Sequence, residues 1–231
     1  MDLEPVTASE PEAAAFGEHA ALATQLFEAL RHEGATHASD GSHDLSHILR
    51  VWRNAAVIAR SEPGCDVGLL VAAVILHDCV AVEKNSPLRS QASRLAAARA
   101  RAIVGAWDWD TARIAALAHA IEAHSFSSGI QPTTVEACIM HDADRLDAIG
   151  AIGIARCFYV AGRMGSALYD PDDVDAEQRP VDDRRYAIDH FKAKLFRVAE
   201  GFRTTAGQAM AAERTAAMRW FVEAFRAEVG A

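Results

Sequence analysis

The sequence predicts an all-α protein, a compact helical bundle with a C-terminal helical appendage. Ala, Leu, Arg and Glu abound, and no segment of any length alternates with period two. About half of the 231 residues are hydrophobic and 24% are charged, a globular composition sufficient for one domain with a real core. A formal net charge of −9 argues against binding a nucleic-acid polymer. The longest apolar run, Val67–Leu76, is too short to span a bilayer. The acidic opening stretch MDLEPVTASEPEAAAF lacks the basic region of a secretory signal. Cys65, Cys79, Cys138 and Cys157 are scattered without C-x-x-C spacing, as expected for reduced thiols in the cytoplasm.

The elements follow in order. A first helix is expected over about Ala13–Arg31, then a polar loop, HEGATHASDGSHD, and a second helix through LSHILRVWRNAAVIAR. Pro63-Gly64 breaks the chain, and Asp66 can cap a third helix, Val67–Leu76. Pro87 marks another break, with Ser90 as the expected cap of a fourth helix running to Gly105. Asp110 can cap a fifth that reaches about His124. Thr133 followed by Glu136 has capping-box spacing and opens a sixth, which carries HDADRLDAIGAIGIAR. A long polar loop, GRMGSALYDPDDVDAEQRPVDD, precedes two last helices, about Asp183–Arg203 and Thr205–Val229.

Chemistry concentrates where the third helix ends. Val67–Leu76 is apolar on every face, so as a helix it must be central. His77 and Asp78 then stand at the rim of the core. A carboxylate there is costly unless paired or metal-bound. His43 and His47 are four apart in SHDLSHILRV, and the sixth helix brings Asp142, Asp144, Arg145 and Asp147. A His₂Asp₂ set from three core helices suits a divalent metal with positions left for water and phosphate. An internal salt-bridge network using Arg50, Arg145 and Arg156 would explain the same residues. The residues alone leave both open.

The order H-x-x-R-V, then His-Asp at the end of an apolar helix, then A-D-R-L-D, resembles the HD superfamily of metal-dependent phosphohydrolases. The likeness extends through KNSPLRSQASRLAA, HSFSSGIQPTTVEA and SALYDP…DDRRYAIDHF, over about residues 40–225, to a compact bacterial branch of that superfamily. It implies four ligands, His47, His77, Asp78 and Asp144, around one divalent ion of Mn, Mg, Co, Ni, Fe or Zn. It also implies hydrolysis of a small phosphorylated substrate, a nucleotide, with release of phosphate or pyrophosphate. In that scheme Asp78 or Glu83, five residues on, takes the proton.

Residues 84–101 carry Lys84, Arg89, Arg94, Arg99 and Arg101 and no acid. Lys84, Arg89 and Ser90 can hold phosphates, with the free N–H groups of the following turn. For Arg99 and Arg101 a solvated helix face explains as much. His119 and His124 are five apart, so a regular helix does not aim both at one point. His124, at the helix end, can turn toward substrate. His43-Asp44 is expected to cap and support its helix. His190 and Lys194 share a face, and with Tyr169 and Asp170 they read as surface within reach of a pocket. Two other functions fit the same outline: a di-iron oxygenase, which needs His119 and His124 as further ligands, and a non-catalytic nucleotide-binding module.

Overall fold

The computed structural model describes residues 10–32, 45–80, 82, 88–125 and 128–230. The regular secondary structure of these residues is helical, with no strand among them. One isolated bridge pairs Ala167 with Tyr186. No described helix is long and apolar enough to cross a membrane. The chain forms two compact units, Met1–Asp144 and Arg145–Ala231.

In the first unit the order is α1 (Glu10–Ala13), a 3-10 turn (Ala14–His19), α2 (Ala20–His32), α3 (Leu45–Ala59), α4 (Val67–Leu76), α5 (Ala92–Val104), α6 (Thr111–His124) and most of α7 (Val135–Asp147). Helix α4 is the hub. Every side chain from Leu69 to Leu76 is buried, and α2, α3, α5 and α6 pack around it. Each buried Leu, Ile or Val there contributes about 1.5–3 kcal/mol of transfer energy. Asp66 caps α4 as expected, accepting from the Leu69 N–H at 2.9 Å. Its carboxylate also receives Arg113 through Nε at 2.8 Å and Nη2 at 3.0 Å. The Arg113 guanidinium lies 3.9 Å over the Trp109 ring. The Asp66 N–H donates to Glu136 Oε1 at 2.8 Å. The N-terminal turns of α4, α6 and α7 are thereby joined at one corner.

Several boundaries differ from expectation. The first helix breaks at Gly17 (φ 59°, ψ −127°), a left-handed conformation that favours glycine. The break turns Phe16 inward to stack on Trp52 at 5.0 Å, whose Nε1 donates to the Ala15 carbonyl at 2.9 Å. Ser90 does not cap the fourth helix. It is exposed, inside a 3-10 turn (Arg89–Gln91), and α5 starts after Gln91 with no side-chain cap. Helix α7 is capped by Thr134, whose Oγ1 accepts from the Ala137 N–H at 3.2 Å. Thr133 engages His119 instead and Glu136 serves Asp66. Finally α7 stops at Asp147, and α8 (Gly150–Met164) is a separate helix. Gly150 has φ +74°, and a Cβ there would lie 2.9 Å from Arg214 Cγ.

The second unit holds α8, a π-helical segment (Phe191–Leu195), α9 (Phe196–Val198) and α10 (Thr205–Val229). Helices α8 and α10 pack together through Phe158, Phe221 and Phe225, and Phe191 stacks on Phe221 at 5.6 Å. The helix expected from Asp183 begins only at Asp189. Residues 183–188 are held in turns because Asp182 Oδ1 accepts the Arg184 and Arg185 N–H groups, while Ala187 and Ile188 bond back to Ala167 and Leu168. Loop 165–188 is tied by Arg179, which forks onto Asp189 at 2.6 and 2.9 Å, pairs with Asp170 at 3.1 Å and lies 4.4 Å over Tyr186. Thr204 caps α10, accepting from the Gly207 N–H at 3.0 Å.

Candidate metal centre

Three helices of the first unit deliver the cluster. His47 sits in the first turn of α3 on its buried face with Ile48 and Val51. His77 is the residue that closes α4. Its Nδ1–H donates to the Val74 carbonyl at 2.8 Å, one turn back. That bond fixes the tautomer and leaves the Nε2 lone pair facing outward from the helix end. Asp144 projects from α7, and Asp78 follows His77 directly.

The donor atoms converge. His47 Nε2 and His77 Nε2 are 3.2 Å apart. Asp144 Oδ1 lies 3.5 Å from His47 Nε2 and 3.8 Å from His77 Nε2, and Asp78 Oδ2 is 3.6 Å from His77 Nε2. Donors at about 2.1 Å from one ion stand roughly 3.0–3.4 Å apart; the ligand atoms of His47, His77 and Asp78 all lie within 4.8 Å of one another, and Asp144 reaches both histidines. With His77 Nε2 unprotonated, the approach of the two nitrogens also calls for a proton or a cation between them. The imidazoles are sealed, at 2% and 0% side-chain exposure, while Asp144 and Asp78 keep 27% and 34%. The cluster is closed on its histidine side and open to solvent on its carboxylate side.

His124 joins it. Its ring stands edge-on to His77, centroids 4.9 Å apart, and its Nε2 is 3.9 Å from Asp78 Oδ1. Nδ1–H donates to the Ile121 carbonyl at 2.6 Å. Burial lowers the His124 pKa, and His77 adds to this. Asp144, Asp78 and the Ile121 bond oppose it without prevailing. His124 is therefore a neutral ring with an accepting Nε2.

Other candidates lie elsewhere. His119 Nε2 accepts from the Thr133 N–H at 3.0 Å and meets Thr133 Oγ1 at 2.9 Å, so it holds the start of α7. Asp147 is buried and pairs with Arg156 at 3.2 Å. Asp142 is fully buried against His141 Nδ1 at 2.9 Å. Of the arginines in the salt-bridge alternative, Arg156 pairs with Asp147 as that reading expects, while Arg50 donates to Ser46 Oγ and Arg145 to the Glu200 carbonyl. His190 pairs with Asp183, Tyr169 packs its ring on Phe225, Asp170 is engaged by Arg179, and Lys194 is exposed. Arg94 and Arg101 lie on the exposed face of α5. Arg89 has its backbone in the 3-10 turn. Glu83, Lys84, His43 and Asp44 fall outside the described residues. Sequence reasoning passed over Asn54, a buried amide on α3. Its signal was present as a lone amide among apolar residues at helical spacing.

Comparison with known proteins agrees with this outline. Residues 44–149 match the HD domain family. The protein YpgQ of Bacillus subtilis (strain 168) is 31% identical over 191 residues, 81% of this chain and 84% of YpgQ. A crystal structure of YpgQ in complex with ADP superposes with a TM-score of 0.65 over 89% of this chain and 97% of that one, at 28% identity. A Lactobacillus plantarum protein of known structure gives 33% identity and a TM-score of 0.64, covering 90% of this chain and 96% of its own. An HD-superfamily hydrolase from Bacillus thuringiensis gives 25% identity and a TM-score of 0.67, covering 96% and 100%.

Proposed function

The chain belongs to the HD superfamily, among the YpgQ-like hydrolases, and on that footing we propose that it is a metal-dependent phosphohydrolase acting on a nucleotide. The observation that carries the proposal is the cluster of His47, His77 and Asp78, whose ligand atoms all lie within 4.8 Å of one another, with Asp144 3.5 and 3.8 Å from the two histidines. The ADP complex of YpgQ supports a nucleotide as the substrate class.

A divalent ion held by His47, His77, Asp78 and Asp144 supplies Lewis acidity toward a phosphoryl oxygen and toward water. The chain's own groups do the rest. The Val74 and Ile121 carbonyls hold His77 and His124 in one tautomer, so neither ring reorganises on binding. Asp78, half-exposed beside His77, takes the proton from the attacking water, or Glu83 does. Neutral His124 accepts a hydrogen bond at Nε2 from that water or from a substrate hydroxyl. Lys84, Arg89 and Ser90 steady the phosphates that do not react. The bond from Thr133 to His119 Nε2 supports the hydrolase reading over the oxygenase alternative, which needs His119 as a further ligand.

The test is a screen for phosphate and pyrophosphate release from nucleoside mono-, di- and triphosphates with Mn²⁺, Mg²⁺, Co²⁺ and Ni²⁺. Turnover that needs the added ion and vanishes in His77→Ala is expected. Tight nucleotide binding without turnover under every ion would refute the enzyme and leave a binding module.

A further inference from the structure

We propose that Asn54 is a positioning residue for the metal centre, registering Asp144 on α7 against His47 on α3; this rests on the metal-site function above. Asn54 and His47 are seven residues apart on α3, two helical turns, so they share its inner face. The rest of that face is apolar: Ile48, Val51, Ala55 and Ile58 are all buried. An amide in such a place is costly to desolvate unless bonded. Asn54 is 5% exposed, and its Nδ2 donates to the Ala143 carbonyl at 3.0 Å.

Ala143 immediately precedes Asp144. Its carbonyl lies inside a regular helix, where the helix's own ladder supplies a donor. The Asn54 bond is therefore a second one, and its effect is on where α7 sits. A carboxylate stands roughly 6 Å from its helix axis, so a roll of about 10° moves it by about 1 Å. Metal sites tolerate displacements of only a few tenths of an ångström. Apolar contacts are non-directional and leave such a roll cheap. A hydrogen bond made at the neighbouring residue opposes it. Asn54 acts through Asp144.

The experiment compares wild type, Asn54→Leu and Asn54→Ser. Leucine keeps the volume and removes the donor, and serine is too short to reach. Three quantities are read: Co²⁺ and Mn²⁺ affinity by competition with a chelating dye, the visible absorption band of bound Co²⁺, and thermal unfolding of the metal-free protein. Both variants should bind each ion about 10–100-fold more weakly, the usual effect of losing a group that orients a ligand. Their Co²⁺ band should change in intensity or position. Metal-free Asn54→Leu should melt at or above the wild-type temperature, and kcat should fall with KM within about twofold of wild type. Affinity within about threefold of wild type with an unchanged Co²⁺ band in either folded variant overturns the proposal while leaving the metal site standing. So does failure of both to fold, since Asn54 would then serve the fold itself. A wild type that binds none of these ions overturns the metal site and Asn54's role with it.

Discussion

Replacing Asp144 and Asp147 in turn by Asn should separate metal binding from stability on one helix. Asp144→Asn keeps the side-chain shape but removes the charge facing His47 and His77 at 3.5 and 3.8 Å. Four-ligand structural zinc sites bind with about 10–16 kcal/mol, so one ligand is worth about 2.5–4 kcal/mol, or roughly two to three decades in Kd. The carboxylate is 27% exposed, so the metal-free fold should barely notice. Asp147→Asn acts in the opposite sense. That carboxylate is 1% exposed and holds Arg156 at 3.2 Å. Breaking a fully buried pair costs about 3–5 kcal/mol. Arg156 keeps 26% exposure and regains some hydration, which brings the cost to about 2 kcal/mol. For a chain of this size that is about 4–8 °C in Tm. Dye competition for Co²⁺ and thermal melts of the metal-free protein measure the two effects. Asp144→Asn with wild-type Kd, or Asp147→Asn that loses metal without losing Tm, would refute the assignment.

Three further outcomes are expected. Asp66→Ala should cost about 1–2 kcal/mol, mostly the α4 cap with a small share from the solvent-screened Arg113 pair. Burial raises the Asp66 pKa, but the Leu69 N–H and Arg113 outweigh it and hold it below the ordinary value. Its stabilisation is therefore complete above about pH 4 and fades as pH falls through the folded-state value; a difference between the proteins that grows toward acid would contradict this. Burial, with Glu136, Asp66 and Glu62, pushes the Cys65 thiol up to about 12. At pH 8 it should react with an alkylating reagent roughly a thousandfold more slowly than a free thiol, and fast labelling of Cys65 in the folded chain would count against that placement. Gly150→Ala should destabilise by about 1–3 kcal/mol, because φ +74° is left-handed and the new Cβ would meet Arg214; a denaturation midpoint equal to wild type would exclude it.

What could be read from the sequence was what depends on composition along a single helix. The uniformly apolar Val67–Leu76 announced a buried hub, and Asp66 and Asp110 stand as caps where their helices begin. Of the candidate site residues, His77 and Asp78 are marked by the apolar helix that ends at them, whereas His47 and Asp144 are singled out by the resemblance, since the residues alone fit a salt-bridge network equally well. What was not legible depends on partners distant in sequence. Thr133 with Glu136 looks like a capping box until His119 and Asp66 claim them. Asp147 shares a helical face with Asp144, yet Arg156, nine residues on, takes its carboxylate. The break at Gly17 follows from the place Phe16 finds on Trp52, which no local periodicity encodes.

The Arg179 crossing gives loop 165–188 an order of a different kind from the helices beside it. A helix frays one turn at a time from its ends. A loop knotted through one guanidinium has no such gradual route: losing Arg179 removes its hold on Asp170, Asp189 and the Tyr186 ring together. Mild acid does not undo the knot, because Tyr186 and the Asp172 N–H hold Asp170 charged below the usual carboxylate range, and the Glu177 and Gln178 N–H groups do the same for Asp173. Ionic strength loosens it little, since Arg179 and Asp189 keep only 17% and 2% exposure and such pairs are weakly screened. Removing the guanidinium itself, by Arg179→Ala, should therefore make residues 165–188 the first place a protease cuts, while the helical core, held by apolar burial, stays closed.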